Sequence, residues 1–335
     1  MSFEPFECID GGTEFCPCHL GETGNCIQCR LLQKDNECNC SNWKGVCIYQ
    51  ELKWNNGVAK NGRKYFQGII TEKVSPNEDL FIIVVKTDPY LVRNLTSVGS
   101  FVFLKSVEDR NYFDSPISIM DINTQDNELT LAIEIKGVKT YRLNELKKGD
   151  KLLVKGPYWN GVLGLRHIKN QKGGNCILIS RGIGQAPLIP VLKDLYNKGN
   201  KVTVIIDNGR YPNSFITEYL NRYASEVHYI NTFERGKITE DFRQFLINKL
   251  EENKVPLVHS SCADILNYDI MKVVEEVNKT QIDNFTNYTC CNNTKMCCGE
   301  GICGCCTRKN NDHKLRRLCK MQTDPKYVLE GRRLF

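Results

Sequence analysis

Between residues 62 and 169 the apolar positions come in short alternating runs, at 66–74, 80–86, 100–104, 117–122, 129–135 and 151–154. Alternation with a period of two puts one row of side chains on each face of an extended strand. These runs therefore predict an antiparallel sheet or barrel. Ser75-Pro76-Asn77 and Lys148-Gly149-Asp150 supply turn residues between them. Past residue 170 the period changes. The apolar run 175–180 leads into Arg181-Gly182-Ile183-Gly184, and then Leu188, Val191, Leu192 and Leu195 fall on one helical face, predicting a helix over 187–197. Runs at 201–206, 227–230 and 255–259 read as further strands, and 214–223, 239–250 and 265–277 as helices. Such alternation predicts a parallel α/β sheet. Residues 278–290 are polar and rich in Asn and Thr, as expected of a linker, and residues 1–60 show little periodicity.

The pattern divides the 335 residues into four parts: an irregular Cys-rich extension over 1–60, a β-barrel over 61–170, an α/β domain over 171–282 and a C-terminal segment over 283–335. The net charge of +6 is spread along the chain rather than gathered in a stripe, which argues against nucleic acid as a partner. No apolar run is long enough to span a membrane, and Met1-Ser2-Phe3-Glu4-Pro5 has no basic start or apolar core. A soluble cytoplasmic protein is expected. His19, His167, His228, His259 and His313 show no paired spacing with a nucleophile, so no acid–base constellation for an organic substrate is visible.

The cysteines change this picture. Of 18, eight lie within residues 8–47 and nine within 262–319, with Cys176 alone between. Two packets flanking an ordinary body fit metal sites better than a disulfide framework, which belongs to small secreted chains. Cys298, Cys303, Cys306 and Cys319 have the spacing C-x4-C-x2-C-x12-C. That is the plant-type ferredoxin arrangement, in which four thiolates hold a 2Fe–2S cluster, and Gly299, Gly301 and Gly304 let the backbone wrap such a core. Cys290, Cys291, Cys297 and Cys305 are then bystanders. In the other packet Cys16, Cys18, Cys26 and Cys29 make one possible four-ligand set, and Cys38, Cys40 and Cys47 with Cys8 a second. Either set could hold zinc or an iron–sulfur cluster, because both accept four thiolates. So polar a segment needs a metal to fold.

Four landmarks over about residues 62–335 resemble the ferredoxin–NADP reductase superfamily, especially electron-transfer subunits of the dihydroorotate dehydrogenase B type and the small subunit of NADH-dependent ferredoxin:NADP oxidoreductase. Ser115-Pro116-Ile117-Ser118 stands where the family has Arg-Pro-x-Ser/Thr beside the flavin, with Ser115 at the arginine position. Ala132-Ile133-Glu134-Ile135-Lys136-Gly137-Val138-Lys139-Thr140 resembles the strand and Gly-x-Gly-Thr turn that meet the FAD pyrophosphate, with Lys139 for the second glycine. Gly149-Asp150 and Lys155-Gly156-Pro157-Tyr158-Trp159-Asn160-Gly161 resemble the end of the family's barrel. Ser180-Arg181-Gly182-Ile183-Gly184-Gln185-Ala186-Pro187 resembles the glycine turn under NAD(P).

The resemblance implies FAD on Pro116, Ile117, Ser118, Ala132, Ile133, Glu134, Gly137, Lys139 and Thr140, with Lys105 or Arg110 as stand-ins for the missing arginine. It implies NAD(P)H on Gly182, Gly184, Ala186, Pro187, Asp207 and Arg210, where Asp207 would accept from a ribose hydroxyl and favour NAD. Ser261-Cys262-Ala263 replaces the family's Cys-Gly-Pro. Residues 327–335 resemble the closing segment of these subunits, so the chain is expected to be complete there.

The implied function is an electron-transfer flavoprotein subunit. It would relay electrons between NAD(P)H, FAD and a 2Fe–2S cluster, to or from a partner redox subunit or ferredoxin. The alternative is a non-catalytic iron–sulfur or zinc adaptor that keeps the reductase fold without flavin or nucleotide, favoured by the departures at 115, 139, 180, 181 and 261–263.

Overall fold

The alternating runs form a curled seven-stranded antiparallel sheet. Its strands lie in the order Ser115–Ser118, Phe101–Ser106, Lys151–Tyr158, Lys64–Asn77, Leu80–Lys86, Glu128–Glu134 and Asp121–Asn123. The computed structural model describes residues 6–38, 40, 43–281, 284–309 and 315–330; the last five residues of the closing-segment resemblance fall outside these. Register explains the alternation. Phe81, Ile83 and Val85 pair with Ile133, Leu131 and Leu129, and all six are buried in the barrel core. The single run expected over 117–122 is two strands. Ser115–Ser118 lies at one edge of the sheet and Asp121–Asn123 at the other. Between them Ile119 donates its N–H to Ser100 and Met120 donates to Thr130, so two residues carry the chain from edge to edge and close the curl.

The second sheet has the order Glu226–Tyr229, Lys201–Asp207, Asn175–Arg181, Leu257–Ser261, Asn287–Cys291 and Val162–Leu163. The first five strands are parallel and the last is antiparallel. Helices Gln185–Asn197, Thr217–Tyr223, Glu240–Glu252 and Asp264–Thr280 accompany it. Asn287–Cys291 corrects the expected linker over 278–290. Thr289 and Cys290 are fully buried beside Leu257–Ser261, and these small side chains fill the space that Val or Ile would normally mark in a sequence. Cys290 and Cys291 are thus packing residues of this sheet, as is buried Cys176.

By contacts the chain separates into two units. One comprises residues up to Tyr65 with Thr294–Thr323, and the other Phe66–Asn293 with the segment from Asp324 onward. The N-terminal cysteines and the six cysteines between Cys297 and Cys319, at opposite ends of the sequence, therefore share a unit. Phe6–Cys8 pairs antiparallel with Met321–Thr323, and the apolar core there is small, with Leu32, Ile48 and Leu52 packed on Cys16 and Cys26. A buried ion network adds to it. Arg63 Nη2 lies 2.7 Å from Asp10 Oδ1 and Arg63 Nη1 3.1 Å from Glu300 Oε2, while Lys320 Nζ lies 2.9 Å from Glu300 Oε2 and also bonds Asp10. Burial would raise the Asp10 carboxyl, yet Lys320 and Arg63 hold it down at about 2.

Candidate functional site

Within the larger unit the site is built where the two sheets meet. Lys201–Asp207, Asn175–Arg181 and Leu257–Ser261 are neighbours, so the strand order reverses direction about Asn175–Arg181. Crevices at such a reversal, beyond the carboxyl ends of the strands, are where open α/β sheets bind ligands. Gly182–Gly184 turns the chain there, and helix Gln185–Asn197 begins at once. Gly184 must be glycine, since a Cβ would stand 1.7 Å from the Ser261 carbonyl oxygen. Ala186 is buried against the sheet, and Gln185, fully buried, accepts from the Ser214 hydroxyl at 2.7 Å.

The turn packs against barrel strand Glu128–Glu134. Glu134 ends that strand and ties the two sheets together. Its Oε1 accepts from the Tyr211 hydroxyl at 2.9 Å and lies 2.8 Å from Arg210 Nη2, while Lys136 Nζ is 2.5 Å from Oε2. Burial would raise this carboxyl, but Lys136, Tyr211 and Arg210 bring it below its ordinary value. Arg210 also pairs with Asp79 at 3.2 Å. Tyr211 was not singled out by sequence, because a tyrosine after an arginine carries no pattern; its phenol is raised by burial and by the bond to Glu134.

Of the expected flavin residues, Glu134 lies at this junction, while Ala132 and Ile133 are buried, Ile133 in the barrel core. Ser118 and Ile117 are half-buried and Pro116 exposed, on an edge strand beside Glu128–Glu134. Ser115 is buried and its hydroxyl donates to the Phe113 carbonyl at 3.1 Å. Lys105 is also buried and holds Asp109 O and Asn111 Oδ1, so it does not replace the arginine. Lys139 is better placed, with Nζ 3.0 Å from the Asp114 carbonyl, next to position 115. It stands in the first turn of helix Val138–Glu145, where the Thr140 hydroxyl accepts from Lys136 N–H at 2.9 Å and a Cβ on Gly137 would meet open space. Uncrowded amides at a helix N-terminus beside an ammonium suit a phosphate.

On the nucleotide side, Asp207 is engaged. Its Oδ2 accepts from Arg181 Nε at 2.9 Å, Thr232 N–H at 2.9 Å and the Thr232 hydroxyl at 2.7 Å, and its Oδ1 from Gly209 N–H at 2.8 Å. Most of its acceptor capacity is taken within the chain, and Thr232 is a partner no motif announced. Ser180, fully buried at the strand end, has a hydroxyl without a hydrogen-bond partner among the described residues. Behind it His259 bridges Thr289 Oγ1 at 3.0 Å and Ser261 Oγ at 3.1 Å, and burial lowers it to about 3, so it is neutral and structural. Cys262, raised far above its ordinary value by burial, packs beside Cys291.

In the smaller unit, the Cys298 sulfur accepts N–H groups of Glu300 at 3.3 Å and Cys303 at 3.5 Å. Gly299, Gly301 and Gly304 take φ of 69°, 78° and 79°, the left-handed turns this loop requires. Cys306 and Cys319 are buried together, with Cys298 electrostatically close. Cys303 is exposed, and its sulfur lies within 4.8 Å of those of Cys297 and Cys305. The spacing-based quartet and this geometric trio thus share Cys303. Arg317 Nε donates to the Gly301 carbonyl at 3.0 Å and fixes the loop.

No protein-family model matches the sequence. The electron-transfer subunit of dihydroorotate dehydrogenase B from Fusobacterium nucleatum is 26% identical over 254 residues, covering 75% of this chain and 92% of that protein. The structure of an NADH-dependent reduced ferredoxin–NADP oxidoreductase superposes with a TM-score of 0.61 at 19% identity, covering 78% of this chain and 88% of that one. A ferredoxin–NADP+ reductase from Plasmodium falciparum superposes with a TM-score of 0.50 at 15% identity, covering 68% and 96%. No helix among the described residues is long and apolar enough to cross a membrane. The chain is similar in sequence to electron-transfer subunits of dihydroorotate dehydrogenase B and has the fold of the ferredoxin–NADP reductases.

Proposed function

We propose that the chain is an electron-transfer flavoprotein subunit that relays electrons between NAD(P)H, FAD and a 2Fe–2S cluster. A partner redox subunit or ferredoxin is the other end of the relay. One observation carries this reading: the glycine turn of the α/β sheet meets barrel strand Glu128–Glu134, with Glu134 bonded to Arg210 and Tyr211. A flavin landmark and a nucleotide landmark therefore face one another in one unit. FAD, when bound, accepts a hydride from NAD(P)H and returns electrons singly, which is the cofactor's own chemistry.

The residues fit these groups in specific places. Gly137, Lys139 and Thr140 would receive the FAD pyrophosphate, with Lys139 supplying the charge that Ser115 cannot. Pro116, Ile117 and Ser118 on the edge strand and Ala132, Ile133 and Glu134 on the neighbouring one would border the flavin. Gly182 and Gly184, with the amides that open helix Gln185–Asn197, would receive the nucleotide pyrophosphate, backed by Ala186 and Pro187. Asp207 would orient Arg181 towards that phosphate while keeping one acceptor position on Oδ1 for a ribose hydroxyl. Arg210 and Tyr211 would hold Glu134 ionised and fixed at the junction. Cys298, Cys303, Cys306 and Cys319 would hold the 2Fe–2S cluster, and the N–H groups given to the Cys298 sulfur fit a thiolate ligand.

The adaptor reading is favoured by the Arg181–Asp207 pair, which occupies the mouth of the turn, and by the inward bond of Ser115. Anaerobic titration of the purified chain with NADH separates the two. Flavin and cluster bands bleaching together is the expected result. A chain without a flavin band, or bleached by dithionite but not by NADH, is the adaptor.

A further inference from the structure

The N-terminal cysteines form an internal quasi-repeat. Cys8, Cys16, Cys18 and Cys26 follow C-x7-C-x-C-x7-C, and Cys29, Cys38, Cys40 and Cys47 follow C-x8-C-x-C-x6-C. Each half centres on a Cys-x-Cys. The structure sorts the thiols the same way. One hollow is lined by Cys8, Cys16, Cys18 and Cys26, and a second by Cys29, Cys38, Cys40 and Cys47. Gln28 and Ile48 line both, so the two hollows are neighbours. This differs from the pairing that sequence adjacency suggests, Cys16 and Cys18 with Cys26 and Cys29: Cys29 leaves the first set and Cys8 enters it.

The two hollows differ in character. Phe15, Leu20 and Ile27 bury the first, with the Asp10–Arg63–Lys320 network beside it. The second is open, with Cys38, Cys40 and Cys47 exposed and Trp43 at its rim. A tetrahedral zinc with Zn–S near 2.3 Å draws its four sulfurs to about 3.8 Å from one another. Among the described residues, the trio of metal-ligating atoms gathered within 4.8 Å is Cys297, Cys303 and Cys305, and neither N-terminal quartet converges so tightly. Thiols spread around the walls of a hollow suit a polynuclear core, whose iron and sulfide fill the space between its ligands.

We propose that the N-terminal segment holds two iron–sulfur clusters, one on Cys8, Cys16, Cys18 and Cys26, the other on Cys29, Cys38, Cys40 and Cys47. The buried and the open centre then form a pair of neighbouring one-electron carriers that share Gln28 and Ile48 in their linings. The proposal does not depend on flavin binding in the larger unit.

The partition is tested on the full chain by counting iron and acid-labile sulfide in two doubly substituted variants. Cys8→Ser with Cys16→Ser touches one site, so one cluster is lost. Cys16→Ser with Cys29→Ser touches both, so two are lost. The reverse pattern overturns the partition in favour of sequence adjacency. The native chain supplies a second readout that needs no variant. During slow chelation, alkylation followed residue by residue should release Cys8, Cys16, Cys18 and Cys26 as one group and Cys29 with Cys38, Cys40 and Cys47 as another. Cys29 becoming reactive together with Cys26 contradicts the partition. Stoichiometric zinc without sulfide beyond that of one 2Fe–2S cluster contradicts the cluster assignment.

Discussion

The two units hold themselves together by different means. The larger has two extended apolar cores, one inside the barrel around Phe81, Ile83 and Leu131, the other between sheet and helices around Ile179, Phe242 and Ile270. Its buried polar groups, such as His259 with Thr289 and Ser260 with Asn267, are hydrogen-bonded within these apolar cores. The smaller unit has few apolar residues in its core, two of them cysteines, and buries four charges instead. Burial of apolar area is non-directional and tolerant, whereas thiolate ligation and buried ion pairs demand geometry. The larger unit should therefore fail gradually under substitution and the smaller abruptly.

The sharpest break is expected at Lys320. Its removal in Lys320→Met leaves Asp10 and Glu300 facing Arg63 alone, an uncompensated buried charge that costs about 3–5 kcal/mol. Adding Asp10→Leu restores balance, since Arg63 and Glu300 then remain as a pair. The double variant should melt higher than the single one, as read by the cluster absorbance on heating. A double variant less stable than the single would show that the network is not held by charge balance.

Gly184→Ala probes the larger unit. A Cβ 1.7 Å from the Ser261 oxygen forces the turn away from the strand, at a cost of about 3 kcal/mol or somewhat less. The flavin band should persist while NADH no longer bleaches it, because the barrel core does not include this turn. Loss of flavin in that variant would mean that barrel and turn are not separable.

Much of the larger unit was legible in sequence because a period of two or of 3.6 reports directly on which face is buried. Asn287–Cys291 escaped, since Thr289 and Cys290 are buried without being strongly apolar. Asp207 ends strand Lys201–Asp207 and Arg210 follows it, but their partners Thr232 and Glu134 are distant in sequence and share no motif. In the smaller unit the sequence shows which thiols exist and not how they group. Asp10, Arg63, Glu300 and Lys320 gave no signal at all, as charged residues usually belong to solvated faces.

A smaller effect, confined to the larger unit, follows from His259. Its pKa is lowered by burial to about 3 from an ordinary 6.5, so the unfolded chain binds a proton that the folded chain refuses. That contribution to stability is complete above about pH 6.5 and is lost as pH falls towards 3, at roughly 1.4 kcal/mol per pH unit in mid-window. His259→Gln should flatten the pH dependence of the larger unit's melting between pH 6 and 4; an unchanged slope would show that the ring titrates in place. The smallest change is expected from Lys139→Met, which should weaken flavin binding about three- to tenfold, by loss of one partly exposed charge, with no shift in melting. Equal flavin affinity would move the phosphate contact elsewhere.

The contrast between the units is tested most directly by calorimetry of the full chain before and after anaerobic chelation of its metals. Two transitions are predicted for the native chain, of which chelation abolishes one and leaves the other within a few degrees of its original position. A single transition that chelation lowers as a whole would contradict the account, because the apolar cores and the thiolate unit would then stand or fall together.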